Sequence, residues 1–312
     1  MSLLLLMLII FKSPQTLRIY SIFLINSTLG DLVFAFSTAM AQIRIIPNKW
    51  AFAYVSLGPG GWIAGSEGGY FFYCLMLHSL FYMFLCFPIS FGFRYWILVR
   101  QMPNKSSCIL FCFSLWLLAL TQHVLFTLSR ADSVEIRKYL KANQPQYDLD
   151  QFFVSGNFMI NSPMTCIVLA TIVLPMFPIY VLIIYFYKKV NFYLMSNIAQ
   201  LSEETLRGHK KLIEVLSIQA SLPLLFIFPP ITLYGLYHLE IVNFQASEYL
   251  VYTIFSFLPI TSPMISIIYI KPYNTAFRKT FCHYQVMPML KKSVVTIYGE
   301  AQSTRHSSTR FD

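Results

Sequence analysis

Six stretches of roughly twenty apolar residues recur along this chain, near residues 19–42, 70–93, 108–128, 164–187, 213–236 and 249–270. At about 1.5 Å per residue in a helix, each is long enough to cross a hydrocarbon layer of roughly 30 Å. Composition agrees: 56% of the 312 residues are hydrophobic and 12% are charged, against about 25% charged in an ordinary soluble domain. A seventh run, Leu3 to Phe11, is apolar as far as Lys12 and reaches only about 14 Å as helix. A signal peptide would carry cations before such a run and a small-residue cleavage site after it. Here the cations follow, so the run is expected to be part of a truncated first helix. The expected fold is an all-α membrane protein: a seven-helix transmembrane domain over residues 1–270, with the first span (near 1–11) partial, and a tail over 271–312.

The cations are sorted between alternate connections. Of the 23 Lys and Arg, 17 fall in residues 12–18, 94–107, 188–212 and the tail from 271; six fall in the other three connections. The positive-inside rule places the richer set, and the tail, in the cytoplasm. A net charge of +10 is then a topology signal and an attraction to anionic lipid, with no nucleic acid required. In the tail, "KPYNTAFRKTF" has the pattern of a short amphipathic helix on the inner leaflet, and the polar end of the chain reads as disordered. The glycine-rich "LGPGGWIAGSEGG" before the third span reads as a flexible outer loop. The connection 129–163 begins helical in "SVEIRKYLKA" and is long enough to lid the bundle.

Polar groups inside spans mark the chemistry, because hydrocarbon penalises them unless they are paired. Asp31, with Asn26 a turn or so nearer the cytoplasm, is either a polar knot between helices or a conformational switch or ion site. At the outer ends lie Tyr70, Tyr73 and His78 on the third span, Asn161 and Thr165 leading into the fifth, Tyr234 and Tyr237 on the sixth, and Tyr252 and Phe255 on the seventh. Such groups suit a mostly apolar small-molecule cavity with a few polar contacts, or the aromatic belt of a membrane protein. Arg94, between Phe93 and Tyr95 at the inner end of the third span, is either an interface anchor or the cationic contact of an intracellular partner. Six cysteines are present. Cys74 could reach Cys166 if both lie near the outer surface, although thiols in apolar spans more often pack singly. Prolines at 88, 175, 178, 223, 229, 230, 259 and 263 fall inside spans, where each favours a kink.

The stretches "FKSPQTLRIY", "LMLHSLFYMFLCFPISFGFRYWIL", "QPQYDLDQFFVSGN", "GHKKLIEVLSIQASLPLLFIF" and "SPMISIIYIKPYN", in that order, resemble the nematode seven-transmembrane chemoreceptors of serpentine receptor class delta. The resemblance implies a G-protein-coupled chemosensory receptor. It would bind a small environmental molecule in an outer cavity and engage a heterotrimeric G protein through Arg94, Tyr95, Arg100, Lys210 and Lys211. It also implies a multi-pass plasma-membrane protein of a sensory cilium, with neither cofactor nor enzymatic activity. Two details depart from the wider rhodopsin-like pattern: Phe93 stands where an acid precedes the arginine, and Ser262 and Ser266 flank Pro263 where Asn and Tyr are usual. The competing class is a membrane transporter or ligand-gated channel, since Asp31 and His78 also suit a polar pathway. Motifs for metal-dependent hydrolysis, phosphate cradles or activated nucleophiles are missing from the sequence.

Overall fold

The computed structural model describes residues 1–13, 19–46, 48, 51–100, 103–158, 163–197, 203–239, 241–242 and 246–281. Twelve helices and three strands appear among them. The apolar N-terminal run forms α1 (Ser2–Lys12), and α2 (Tyr20–Ala41) follows as a full span. Next come β1 (Ile43–Ile46), β2 (Ala51–Ser56), α3 (Pro59–Val99) and α4 (Lys105–Leu128). The second outer connection contains α5 (Ser133–Asn143) and β3 (Phe153–Phe158). The remaining spans are each built from two helices: α6 (Pro163–Val173) with α7 (Met176–Ser196), α8 (Glu203–Phe226) with α9 (Phe228–His238), and α10 (Ser247–Phe255) with α11 (Leu258–Tyr269). A last helix, α12 (Lys271–Phe281), turns along one end of the bundle.

Among the described residues, five helical units are long and apolar enough to cross a bilayer: α2, α3, α4, Leu206–Tyr237 and Ser247–Tyr269. Large apolar side chains such as Leu110, Phe113, Phe177, Val181, Leu225 and Ile268 stand on the outside of the bundle. In water that surface would drive aggregation; in lipid it is the matched solvent.

The breaks fall at prolines. Pro175 starts α7, Pro229 and Pro230 open α9, and Pro259 lies in the first turn of α11. Each lacks an amide hydrogen and is easiest to place where the helix restarts. The sixth span begins at Glu203 rather than near 213, and the fifth continues to Ser196 rather than stopping near 187.

The third span also differs from expectation. Residues 59–69, read as a loop, are helical, and α3 begins at Pro59 with a kink at Ala64 and Gly65. Gly65 has φ +62° and ψ −148°, a conformation that a side chain would strain. The neighbouring glycines serve packing. A Cβ on Gly69 would lie 2.5 Å from the Ser56 Cβ, so β2 rests directly on the helix only because that position has no side chain.

The strands form one antiparallel sheet in the order β1-β2-β3, with Ile43 opposite Ser56 and Ala51 opposite Phe158. The connection between α2 and α3 and the connection between α4 and α6 are thereby stitched into a cap. It has its own small core, in which Ile46, Ala53 and Val55 meet Ile136 and Leu140 of α5 together with Val154. Asp132 caps α5 by accepting a hydrogen bond of 2.8 Å from the Val134 amide.

Candidate functional site: an outer aromatic cluster, a central polar knot and a buried inner arginine

Beneath the sheet, Tyr70 and Tyr73 from α3 pack with Phe126 of α4, Tyr54 of β2 and Tyr252 of α10. Ring centroids are 4.4 Å apart for Tyr54 and Tyr73, and 5.8 Å for Tyr73 and Tyr252. The hydroxyls of Tyr73 and Tyr252 share a hydrogen bond of 2.7 Å, and Phe255 stacks edge-on against Tyr252. Four of the residues singled out from sequence, Tyr70, Tyr73, Tyr252 and Phe255, are thus in one cluster, and their rings occupy it. Tyr234 reaches Phe52 of β2 at 6.0 Å. Thr165 is buried on α6, and its hydroxyl meets no partner among the described residues. Asn161 lies outside the described residues.

His78 is not part of this cluster. It faces α4, with the Trp116 and His123 rings 5.7 and 5.8 Å away. No bond joins Cys74 to Cys166: the first thiol is buried in the core, and the second residue is on the exposed side of α6.

Asn157 of β3 has its amide nitrogen bonded to the Tyr70 hydroxyl at 3.0 Å and to the Ser129 carbonyl at 2.9 Å, while its carbonyl oxygen accepts from Tyr54 at 3.2 Å. One side chain ties the sheet to α3 and to the end of α4. Glu248, in the first turn of α10 and 1% exposed, does more. Its carboxylate accepts from Arg44 Nε at 2.6 Å, from Tyr147 Oη at 2.6 Å and from Tyr237 Oη at 3.0 Å. Four elements therefore close on one buried anion: β1, the segment between α5 and β3, α9 and α10. Burial opposes the Arg44 cation, but the bond to Glu248 more than offsets it and raises its pKa above the ordinary value. Tyr147 is pushed up to about 12, by burial first and then by its bond to Glu248. The Arg44 guanidinium also sits over the rings of Tyr147 and Tyr249, at 5.4 and 5.3 Å. Farther out, Glu67 pairs with Arg130, and Asp150 with Lys141, whose bond lowers the exposed carboxyl's pKa. Of the groups that meet at Glu248, sequence reasoning selected only Tyr237. The available signals were a lone acid opening the last span and a lone arginine within "IRII".

At mid-depth Asp31 is buried and hydrogen-bonded to Ser262 of α11. Gln219 of α8 donates to the Ser262 carbonyl at 3.0 Å and to Ser266 Oγ at 2.9 Å. The knot joins α2, α8 and α11. Asn26 is not in it: its carbonyl accepts from Tyr82 Oη at 2.6 Å and its nitrogen donates to Cys86 Sγ at 3.4 Å. Asn26 and Asp31 are five positions apart, which at 100° each puts them about 140° apart around the helix.

At the inner end Arg94 does not reach out to the interface. It is 1% exposed, its guanidinium carbon lies 3.5 Å from the centre of the Tyr20 ring, and the buried ring of His209 of α8 lies within reach of its charge. Among the described residues no acid pairs with it, and its Nε and Nη2 meet no acceptor. Tyr95 is half-buried against Phe186. Arg100, Lys210 and Lys211 are exposed, the first over the Trp96 ring and the last over Tyr269.

The family described as serpentine type 7TM GPCR chemoreceptor Srd matches residues 1–279. The chain belongs to this family. Among curated relatives of Srd receptors in Caenorhabditis elegans, serpentine receptor class delta-3 is 28% identical over 89% of this chain and 82% of its own length; serpentine receptor class delta-1 is 26% identical over 87% and 74%. Squid rhodopsin superposes with a TM-score of 0.66 over 100% of this chain and 87% of its own, at 14% identity, which speaks for the fold. This Srd chain is a multi-pass membrane protein of the chemoreceptor class with a GPCR-like fold. Its inner arginine follows Phe93, so a neighbouring acid–arginine lock cannot form there.

Proposed function

We propose that the chain is a G-protein-coupled chemosensory receptor. A small environmental molecule enters beneath the outer sheet and displaces the aromatic contacts around Tyr73 and Tyr252. The signal emerges where Arg94 and the exposed Arg100, Lys210 and Lys211 face the cytoplasm. The observation that supports this most is the clasp at Glu248, because it joins the outer cap to α9 and α10 through one buried group. A ligand that loosens the cap thereby also frees the outer end of the sixth span. The prolines at 223, 229 and 230 provide the place where that span bends. Movement of α8 then uncovers Arg94 for a partner, and Asp31 with Ser262 and Gln219 is the central contact that rearranges. Outer occupancy and inner opening are two sites coupled through one two-state element. In this reading the tail is cytoplasmic, α12 lies on the inner leaflet, residues 1–270 form the signalling bundle, and the receptor resides in the plasma membrane of a sensory cilium.

The test is guanine-nucleotide exchange by a co-expressed heterotrimeric G protein while cells are exposed to a panel of small volatile and water-soluble organic molecules, with ion flux recorded in parallel. Exchange that depends on one panel member supports the proposal. Flux without exchange assigns the chain to the transporter or channel class. An epitope at the carboxyl terminus should become accessible only after permeabilisation; labelling of intact cells would overturn the topology.

A further inference from the structure

The stretch from Pro59 to Ser66 carries no charged side chain, and its two large ones stand outside the fold. Trp62 is 73% and Ile63 74% exposed. Rotation about the helix puts them there. Gly60 and Gly61 face inward: a Cβ on the first would lie 2.5 Å from the Phe72 ring of α3, and one on the second 2.7 Å from the Phe153 ring of β3. At about 100° per residue, the next two positions come round to the opposite side. The stretch opens α3, and the Gly61 amide donates to the Gly58 carbonyl at 3.1 Å. A backbone bonded in this way enters an apolar layer at less cost than an irregular loop.

Continuity with the lipid-facing surface identifies what covers the pair. Leu29, Val33 and Phe36 are exposed along one face of α2. The Phe36 ring lies 5.8 Å from Phe72, and the exposed Phe71 ring lies 5.4 Å from Phe72 on α3. Phe72 is also the ring against which Gly60 packs, so the apolar strip of α2 reaches Trp62 and Ile63 through Phe36 and Phe72. A tryptophan beside an aliphatic side chain at the end of two spans suits the membrane–water boundary, where the body of the ring meets acyl chains and its N–H meets headgroups. We infer that residues 59–64 anchor in the cap-side leaflet of the bilayer, with Trp62 and Ile63 inserted, and that this anchor holds the sheet down on the bundle. The other side of the same stretch carries the sheet: Phe153 and the Ser56 carbonyl lie against Gly61, and Ser155 Oγ donates to the Ser66 carbonyl at 2.9 Å. Gly65, with φ +62° and nothing within 4 Å of a Cβ, is the joint that lets the anchor lie along the leaflet while α3 turns down into the bundle. The anchor requires only the bilayer, whichever partner the inner face binds.

The full-length receptor in phosphatidylcholine nanodiscs provides the test. The chain has four tryptophans, and Trp50→Phe, Trp96→Phe and Trp116→Phe together leave Trp62 as the sole emitter. Lipid brominated near the headgroup end of its acyl chains should quench that emission strongly, lipid brominated near the chain ends weakly, and aqueous iodide hardly at all. Should the triple variant fail to fold, the difference in quenching between wild type and Trp62→Phe gives the same readout. The hold on the cap is measured by hydrogen exchange in the same discs. Trp62→Ser combined with Ile63→Ser alters only exposed positions. It should speed exchange of the β2 and β3 amides by about tenfold, the scale for withdrawing one large apolar side chain from an apolar phase, and leave the middle of α4 unchanged. Trp62→Phe, which still inserts, should stay close to wild type. Quenching by iodide in preference to brominated lipid would overturn the anchor, and unchanged exchange in the serine variant would overturn its hold on the cap.

Discussion

Removing the carboxylate of Glu248 is the most direct way to ask whether the outer cap is held by one buried anion. Glu248 is 1% and Arg44 14% exposed on the side chain, and the carboxylate accepts three hydrogen bonds of 2.6, 2.6 and 3.0 Å. Glu248→Ala leaves a largely buried guanidinium and two tyrosine hydroxyls without their acceptor. Breaking a buried pair from one side costs about 3–5 kcal/mol. Glu248→Gln keeps the shape and one acceptor oxygen, and its expected cost is about 2 kcal/mol, the range for a hydrogen bond to a charged group. For a chain of this size each kcal/mol moves a melting midpoint by about 2 °C, so Glu248→Ala should lower the midpoint by about 6–10 °C. The assay is thermal loss of monodisperse receptor in detergent, read by fluorescence-detected size exclusion. The double variant with Arg44→Ala should be more stable than the sum of the single losses by about 1.5 kcal/mol or more, because the second deletion removes the charge that the first left stranded. A shift under about 2 °C, the value of a solvent-screened surface pair, or strict additivity of the two substitutions, would refute the claim that this contact holds the cap.

Tyr73→Phe and Tyr252→Phe each delete the 2.7 Å hydroxyl contact. Each should cost about 1 kcal/mol in the same thermal assay and raise basal nucleotide exchange; unchanged exchange would separate this contact from signalling. Arg94→Ala removes the cation stacked 3.5 Å from the Tyr20 ring and should abolish ligand-independent exchange in membranes while surface expression persists, with Arg94→Lys intermediate because the ammonium lacks the planar fork. Gly69→Ala forces a Cβ to within 2.5 Å of Ser56 Cβ, whereas at Gly235 nothing lies within 4 Å. The first should lower the thermal midpoint by at least about 4 °C and the second should leave it unchanged or raise it slightly; equal effects would contradict the docking of the sheet on α3.

Much of the fold was legible because apolar length is written directly in the chain. The sixth span illustrates both the reach and the limit of that reading: its apolar centre was plain, but its polar start at Glu203 was not, since a helix that leaves the membrane no longer needs apolar residues. Residues 59–69 were misread because glycine density ordinarily marks a loop, whereas here the glycines admit a sheet to the helix surface. His78 was assigned by depth to the outer cluster. Depth follows from position along a span, but the direction a residue faces does not when the whole helix is apolar, because no amphipathic stripe distinguishes core from lipid. The Arg44–Glu248 pair was hidden for another reason: its partners, on β1 and in the first turn of α10, are 204 positions apart.

What the amino-acid order alone determined was the medium and the presence of several long spans: hydrocarbon rejects unpaired backbone and charge, so these features follow from length and composition and need no partner to be read. The tertiary structure decided which polar groups meet. Asp31 with Ser262, Glu248 with three donors from three elements, and Arg94 over Tyr20 are pairings across helices. They depend on the rotation of each helix about its axis, which is set by side-chain packing between neighbours and not by the periodicity of any one segment.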